Sequence, residues 1–146
     1  MQITDRIKNC NGCGACIVGC REYCMKMEKD ADGRMKPVIE ENGCKLCNNC
    51  VLYCPLYNPV EMPGFTNYYE YNEDYYYRDM PKVYRETLRQ AKSGQTVEFA
   101  GTLCQIAGLI SLMGNRLKPN VKLYPLHCDP DHPHRPECAE CEFVRR

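Results

Sequence analysis

The stretch Cys44-Lys-Leu-Cys47-Asn-Asn-Cys50-Val-Leu-Tyr-Cys54-Pro55 decides how the first half of the chain is read. Three cysteines stand at two-residue gaps, a fourth follows after three residues, and a proline comes next. The same cysteine spacing occurs earlier, at Cys10, Cys13, Cys16 and Cys20. This is a ligand pattern for iron–sulfur clusters. A C-x2-C-x2-C loop curls three thiolates around one face of a cubane that takes four. The three-residue step then carries the chain out of the loop and into a helix. Structural zinc sites favour two separated C-x2-C pairs, so a triplet plus a fourth cysteine, twice, fits zinc poorly.

Composition supports this reading. The chain has 146 residues and 13 cysteines, an odd number. In a short secreted protein that density would mean a disulfide framework, but here the cysteines recur at metal-ligand spacing. The N-terminus, Met1-Gln-Ile-Thr-Asp-Arg-Ile-Lys8, has no apolar signal run, and no stretch has the length of a membrane span. A reducing, cytoplasmic compartment is expected. With 19 basic and 19 acidic residues the formal net charge is zero, which gives no support to nucleic-acid binding. Apolar residues other than cysteine are modest in number, so metal binding is expected to staple the N-terminal half.

Working outward, Asn9-Cys10-Asn-Gly12-Cys13-Gly14-Ala-Cys16 forms the first loop. Its glycines let the backbone pass close to an inorganic core and adopt positive φ. Residues 16–27 read as one helix leaving that loop. Asp30-Ala-Asp-Gly33 reads as a turn, residues 34–40 as a strand whose Pro37 suggests an edge, and Asn42-Gly43 as a second turn.

Loop, helix, hairpin, loop and helix, with an internal repeat of 34 residues from Cys10 to Cys44, resemble the two-cluster bacterial ferredoxin family. The resemblance covers residues 3–60. It implies one [4Fe–4S] cluster on Cys10, Cys13, Cys16 and Cys54, and a second on Cys20, Cys44, Cys47 and Cys50. The first run lacks the family's proline, since Arg21 follows Cys20. Nothing then forces the helix to stop, and it is expected to run on through Cys24. That cysteine is read as a spare buried thiol or an alternative ligand.

Pro63-Gly64 interrupts the chain before residues 67–79, which hold six of the eleven tyrosines. This reads as a linker whose tyrosines pack on the first unit or on a partner. Pro81 opens a helix over 82–92, ended by Ser93-Gly94. Residues 96–100 read as a strand, Leu103 to Met113 as the most apolar helix with Gly114 as its stop, and 121–126 as a second strand. Strand, helix, strand is a βαβ unit with parallel strands. It puts Cys104 at a helix N-terminus, where a thiolate is favoured, and Cys128 beyond the second strand on the same sheet edge.

Gly101-Thr-Leu-Cys104-Gln-Ile-Ala-Gly-Leu109, the strand ending near Cys128, and the pair Cys138-Ala-Glu-Cys141 resemble the beta subunits of F420-reducing hydrogenases and F420-linked dehydrogenases. The resemblance implies a third [4Fe–4S] cluster on Cys104, Cys128, Cys138 and Cys141. Leu103 replaces the family's proline, and His127-Cys128-Asp129 stands where the family has Cys-His-Gly. The matched stretch stops short of the family's flavin- and F420-binding region, so neither molecule is carried over. On spacing alone the last four cysteines also allow zinc or redox-active thiols. His127, His132 and His134 read as solvated loop residues, with His127 the best candidate for a ligand.

The sequence thus predicts an α+β protein in three parts: a two-cluster ferredoxin-like unit at 1–62, a Tyr-rich linker at 63–80, and a small α/β unit with a third metal site at 81–146. No P-loop, nucleophile elbow or dinucleotide fingerprint occurs. Activity alone is not expected. The leading function is an electron-transfer subunit in a hetero-oligomeric complex with a catalytic or flavin-containing oxidoreductase subunit. The alternatives are a free ferredoxin-like carrier with a zinc-stapled appendage and a small thiol-redox enzyme.

Overall fold

The structure is a computed structural model and describes residues 13–20, 25–29, 35–39, 52–55, 58, 60–70, 72–114 and 116–127. In chain order these contain α1 (Ala15–Gly19), β1 (Met25–Lys29), β2 (Met35–Ile39), α2 (Glu73–Tyr76), α3 (Met80–Lys92), β3 (Val97–Thr102), α4 (Leu103–Leu112) and β4 (Val121–Leu126). The architecture is mixed α+β, with two small two-stranded sheets.

The βαβ unit forms as its local signals dictate. Asp79 caps α3, its carboxylate accepting from the Lys82 backbone N–H at 3.3 Å, and Pro81 sits in the first turn. The cap starts the helix at Met80, two residues before the expected Lys82. Gly94, with φ of 89°, lets the chain leave α3, and β3 begins at Val97. At the entry to α4, Gln105 Oε1 accepts from the Thr102 backbone N–H at 3.1 Å, one arm of a capping box. Strands β3 and β4 pair in parallel from Val97↔Val121 to Thr102↔Leu126. The helix between them is buried from Leu103 to Ser111, consistent with its nearly unbroken apolar run.

The N-terminal part departs from expectation. Residues 16–27 do not form one helix. Helix α1 ends at Gly19, Cys20 is extended with φ −75° and ψ 113°, and the chain is a strand again from Met25. Met25-Lys-Met-Glu-Lys29 alternates apolar and polar residues, which is the period of a half-buried strand. It pairs antiparallel with β2, Met25 opposite Ile39 and Lys29 opposite Met35, and this pairing outweighs the absence of a helix-stopping proline. The helix therefore ends before Cys24, which itself lies outside the described residues, as do both turns expected around β2.

The Tyr-rich segment is more than a connection. Tyr69 bridges to Leu126 beside β4: its N–H donates to Pro125 O at 2.9 Å, and its carbonyl accepts from the His127 N–H at 2.8 Å. An edge of the parallel pair is covered in this way. Arg78 adds a second tie, donating to Ala100 O at 2.7 Å and Tyr75 O at 2.8 Å, with its guanidinium 4.7 Å from the Tyr75 ring centre. Even so, Tyr68, Tyr69, Tyr75 and Tyr77 remain exposed.

One apolar core takes side chains from along the whole described chain. Cys13, Ala15 and Val60 join Met80, Tyr84, Phe99, Leu103, Ile106, Leu109 and Val121. Helix α1 packs on both α3 and α4. Tyr84 and Phe99 stack with ring centres 6.0 Å apart. A second, smaller cluster holds Cys16, Ile17, Cys20, Met25, Ile39 and Cys54.

Candidate metal centre

Five of the candidate ligands are described, namely Cys13, Cys16, Cys20, Cys54 and Cys104, and all five are buried. Cys10, Cys44, Cys47, Cys50, Cys128, Cys138 and Cys141 lie outside the described residues, as do His132 and His134.

Of the first loop, residues 13–16 are described. Gly14 has φ of 83° and forms the N-cap of α1, a backbone conformation that an L-residue adopts only with strain. Helix α1 is about a turn and a half, with Cys16 in its first turn and Cys20 at its C-cap. Tyr53 and Cys54 are brought against it from the far end of the second motif. The Tyr53 ring lies so close to Gly19 that no Cβ fits there, and Tyr53 O accepts from Ser111 Oγ on α4 at 2.8 Å. Cys54 O accepts from the Asn58 backbone N–H at 2.8 Å. Cys16, Cys20 and Cys54 thus come together in one apolar cluster although Cys54 is 34 residues beyond Cys20.

Cys13 packs in the main core, which also holds Cys104, and Cys13, Cys104 and Cys16 all act on the hydroxyl of Tyr84. Among the described residues no three His, Cys, Asp or Glu side chains stand at metal-binding separation. Each expected ligand set extends into cysteines outside these residues, and the donors that are described fit an iron–sulfur group. They are soft thiols, shielded from water by Ile17, Met25 and Ile39.

Cys104 occupies the first turn of α4, with the Thr102 hydroxyl 3.0 Å from its Sγ. A hydroxyl at that distance and a helix N-terminus both stabilise a thiolate. His127, the one described candidate histidine, is exposed and stacks on Tyr68 with ring centres 5.2 Å apart.

Three residues that the sequence reading passed over sit where the cysteine segments meet. Tyr84 is fully buried, and its hydroxyl lies 2.7 Å from Cys13 O and 3.0 Å from Gln105 O. Burial first, then the thiols of Cys13 and Cys104, push this hydroxyl well above the ordinary tyrosine range, so it stays a donor. Gln105 is also fully buried and reaches back to Tyr75 O at 3.3 Å. Gly108 leaves the space that the Tyr84 hydroxyl needs. A tyrosine at the centre of a charged, amphipathic helix carries no local sign of this role. The glycine inside an otherwise apolar helix was the available hint.

Beside α1 lies a cleft of about 520 Å³, lined by Ile17, Met25 and Met27 together with Lys26, Arg78 and Arg85. Burial lowers the Arg78 pKa, yet its hydrogen bonds go to carbonyl oxygens and not to a carboxylate. No described helix is long and apolar enough to cross a membrane.

The fold and site define an α+β protein that packs a cysteine-bearing loop onto a βαβ unit with a cysteine of its own. Comparison with protein families, with curated proteins and with solved structures finds no match.

Proposed function

We propose that this chain is an iron–sulfur electron-transfer subunit of an oxidoreductase complex. The observation that carries the reading is the doubled C-x2-C-x2-C-x3-C run, together with the burial of Cys16, Cys20 and Cys54 in one apolar cluster. Cys10, Cys13, Cys16 and Cys54 would hold one [4Fe–4S] cluster, Cys20, Cys44, Cys47 and Cys50 a second, and Cys104, Cys128, Cys138 and Cys141 a third. A bound [4Fe–4S] cluster supplies a reversible one-electron couple whose potential follows its surroundings. The chain's own residues provide those surroundings. Ile17, Met25 and Ile39 exclude water from the thiols, Gly14 lets the backbone turn tightly between Cys13 and Cys16, and Thr102 directs a hydroxyl at Cys104. Lys26, Arg78 and Arg85 around the neighbouring cleft suit carboxylates on a catalytic or flavin-containing partner subunit.

Anaerobic reconstitution followed by iron and sulfide analysis tests the reading. About twelve irons per chain, matched by sulfide, is the expected result for three cubanes. About eight irons with one zinc would instead make the chain a two-cluster carrier with a zinc-stapled C-terminal site. Full iron content with thiol chemistry lost in Cys104→Ser would point to a thiol-redox enzyme. A chain that takes up neither iron nor sulfide overturns the proposal.

A further inference from the structure

Tyr84 joins the two cysteine-bearing segments at one atom. Its ring fills the core against Phe99, a task phenylalanine would perform without burying an oxygen. The oxygen is nonetheless fully buried, where a polar group costs stability unless it is hydrogen-bonded. Its two partners are backbone carbonyls 71 and 21 residues away in sequence, one at Cys13 in the first loop and one at Gln105, next to Cys104 on α4. A single hydroxyl hydrogen is shared between them, so the two carbonyls are held at one distance from each other. Gly108 leaves room for the arrangement. A Cβ there would stand 2.7 Å from the Tyr84 hydroxyl, 3.3 Å from Ala15 Cβ and 3.3 Å from Cys13 Sγ. Gly108 is also one helical turn beyond Cys104, on the same face of α4. The thiols of Cys13 and Cys104 therefore belong to one buried region centred on Tyr84.

We propose that Tyr84, with Gly108 leaving space for its hydroxyl, is a positioning residue that fixes the first cysteine loop against the Cys104 helix and so sets the separation of the two metal sites. The inference rests on the reading that both segments hold iron–sulfur groups. No chemical bond forms or breaks in this role. What the hydroxyl controls is a distance, and the magnetic interaction between two paramagnetic centres falls with the cube of that distance.

The test uses the full chain, reconstituted anaerobically and reduced with dithionite, with electron paramagnetic resonance as the readout. The wild-type spectrum is expected to show a spin–spin splitting with a component that Cys104→Ser removes, which assigns that component to this pair of sites. Tyr84→Phe is expected to keep wild-type iron, sulfide and circular dichroism while the splitting changes by at least twofold. Gly108→Ala, which pushes on the hydroxyl from the other side, is expected to change it as well. A wild-type splitting in either variant overturns the proposal, and so does a spectrum that Cys104→Ser leaves unchanged. If both variants lose iron, the hydroxyl is a support of the fold and not a setter of distance, and the proposal fails. A wild-type chain without iron and sulfide removes the functional reading itself, an outcome distinct from all of these.

Discussion

Replacing Tyr84 by phenylalanine deletes the hydroxyl that donates to Cys13 O at 2.7 Å and lies 3.0 Å from Gln105 O. Losing a buried hydrogen bond costs about 0.5–1.5 kcal/mol net, so urea denaturation is expected to show a loss of that size. The same hydroxyl makes stability depend on pH. Its proton is held more tightly in the folded chain than at the ordinary value of 10.0, because burial disfavours the phenolate. A group raised in this way contributes fully below its unfolded pKa and loses its contribution as the pH climbs beyond it. The stability gap between wild type and Tyr84→Phe is thus expected to narrow as the pH rises above the ordinary tyrosine value of 10.0. A gap that stays constant there would show that the hydroxyl is not protected. At Gly108, alanine gains about 1 kcal/mol of helix propensity but must displace the Tyr84 hydroxyl and the Cys13 thiol, and overpacking costs about 1–3 kcal/mol. The clash wins, and a net loss of up to about 2 kcal/mol is expected in the same denaturation assay.

Among the elements, β4 is tied to α3 by one side chain. Asn120 donates both of its amide hydrogens, to Ala91 O at 2.9 Å and Gln95 O at 2.7 Å, while its own carbonyl accepts from the Val97 N–H. Asn120→Ala is expected to cost about 1–2 kcal/mol, measured by thermal or urea unfolding, because Ala91 O in the last turn of α3 and Gln95 O just beyond the helix each lose a side-chain donor. The element boundaries in this half were legible because each is marked locally: Asp79 and Pro81 at one helix start, Gly94 and Gly114 at two helix ends, and Thr102 with Gln105 at the other start. Strand β1 was not recognised, although Met25-Lys-Met-Glu-Lys29 carries the strand period. Five residues are too few to settle helix against strand, and the deciding partner, Met35–Ile39, is a non-local one. The candidate site divides in the same way. Cysteine spacing, a local property, marked the candidate ligands. The meeting of Cys13 with Cys104, and the role of Tyr84 between them, depend on contacts across 71 and 21 residues that no local pattern encodes.

At the scale of the molecule, the shared core couples the cysteine loop to the βαβ unit. Cys13, Ala15 and Val60 are packed among residues from α3, β3 and α4. Loss of metal from the N-terminal cysteines is therefore expected to weaken the C-terminal helices too. Treatment of the reconstituted chain with an iron chelator should lower a single unfolding midpoint, seen alike by helix circular dichroism and by tyrosine fluorescence. Two separated transitions, with the second unmoved by chelation, would refute this coupling. The shared core also has a consequence for the order of events during synthesis. The ribosome releases the first cysteine loop long before Tyr84, Gln105 and Gly108 exist. Until α4 emerges, the surface that covers Cys13 and Ala15 has not been made, and native closure waits on contacts of high sequence separation. The growing chain therefore passes through an interval in which the Cys13 thiol lies open to solvent, to metal donors and to oxidants alike, and completion of the C-terminal half ends that interval.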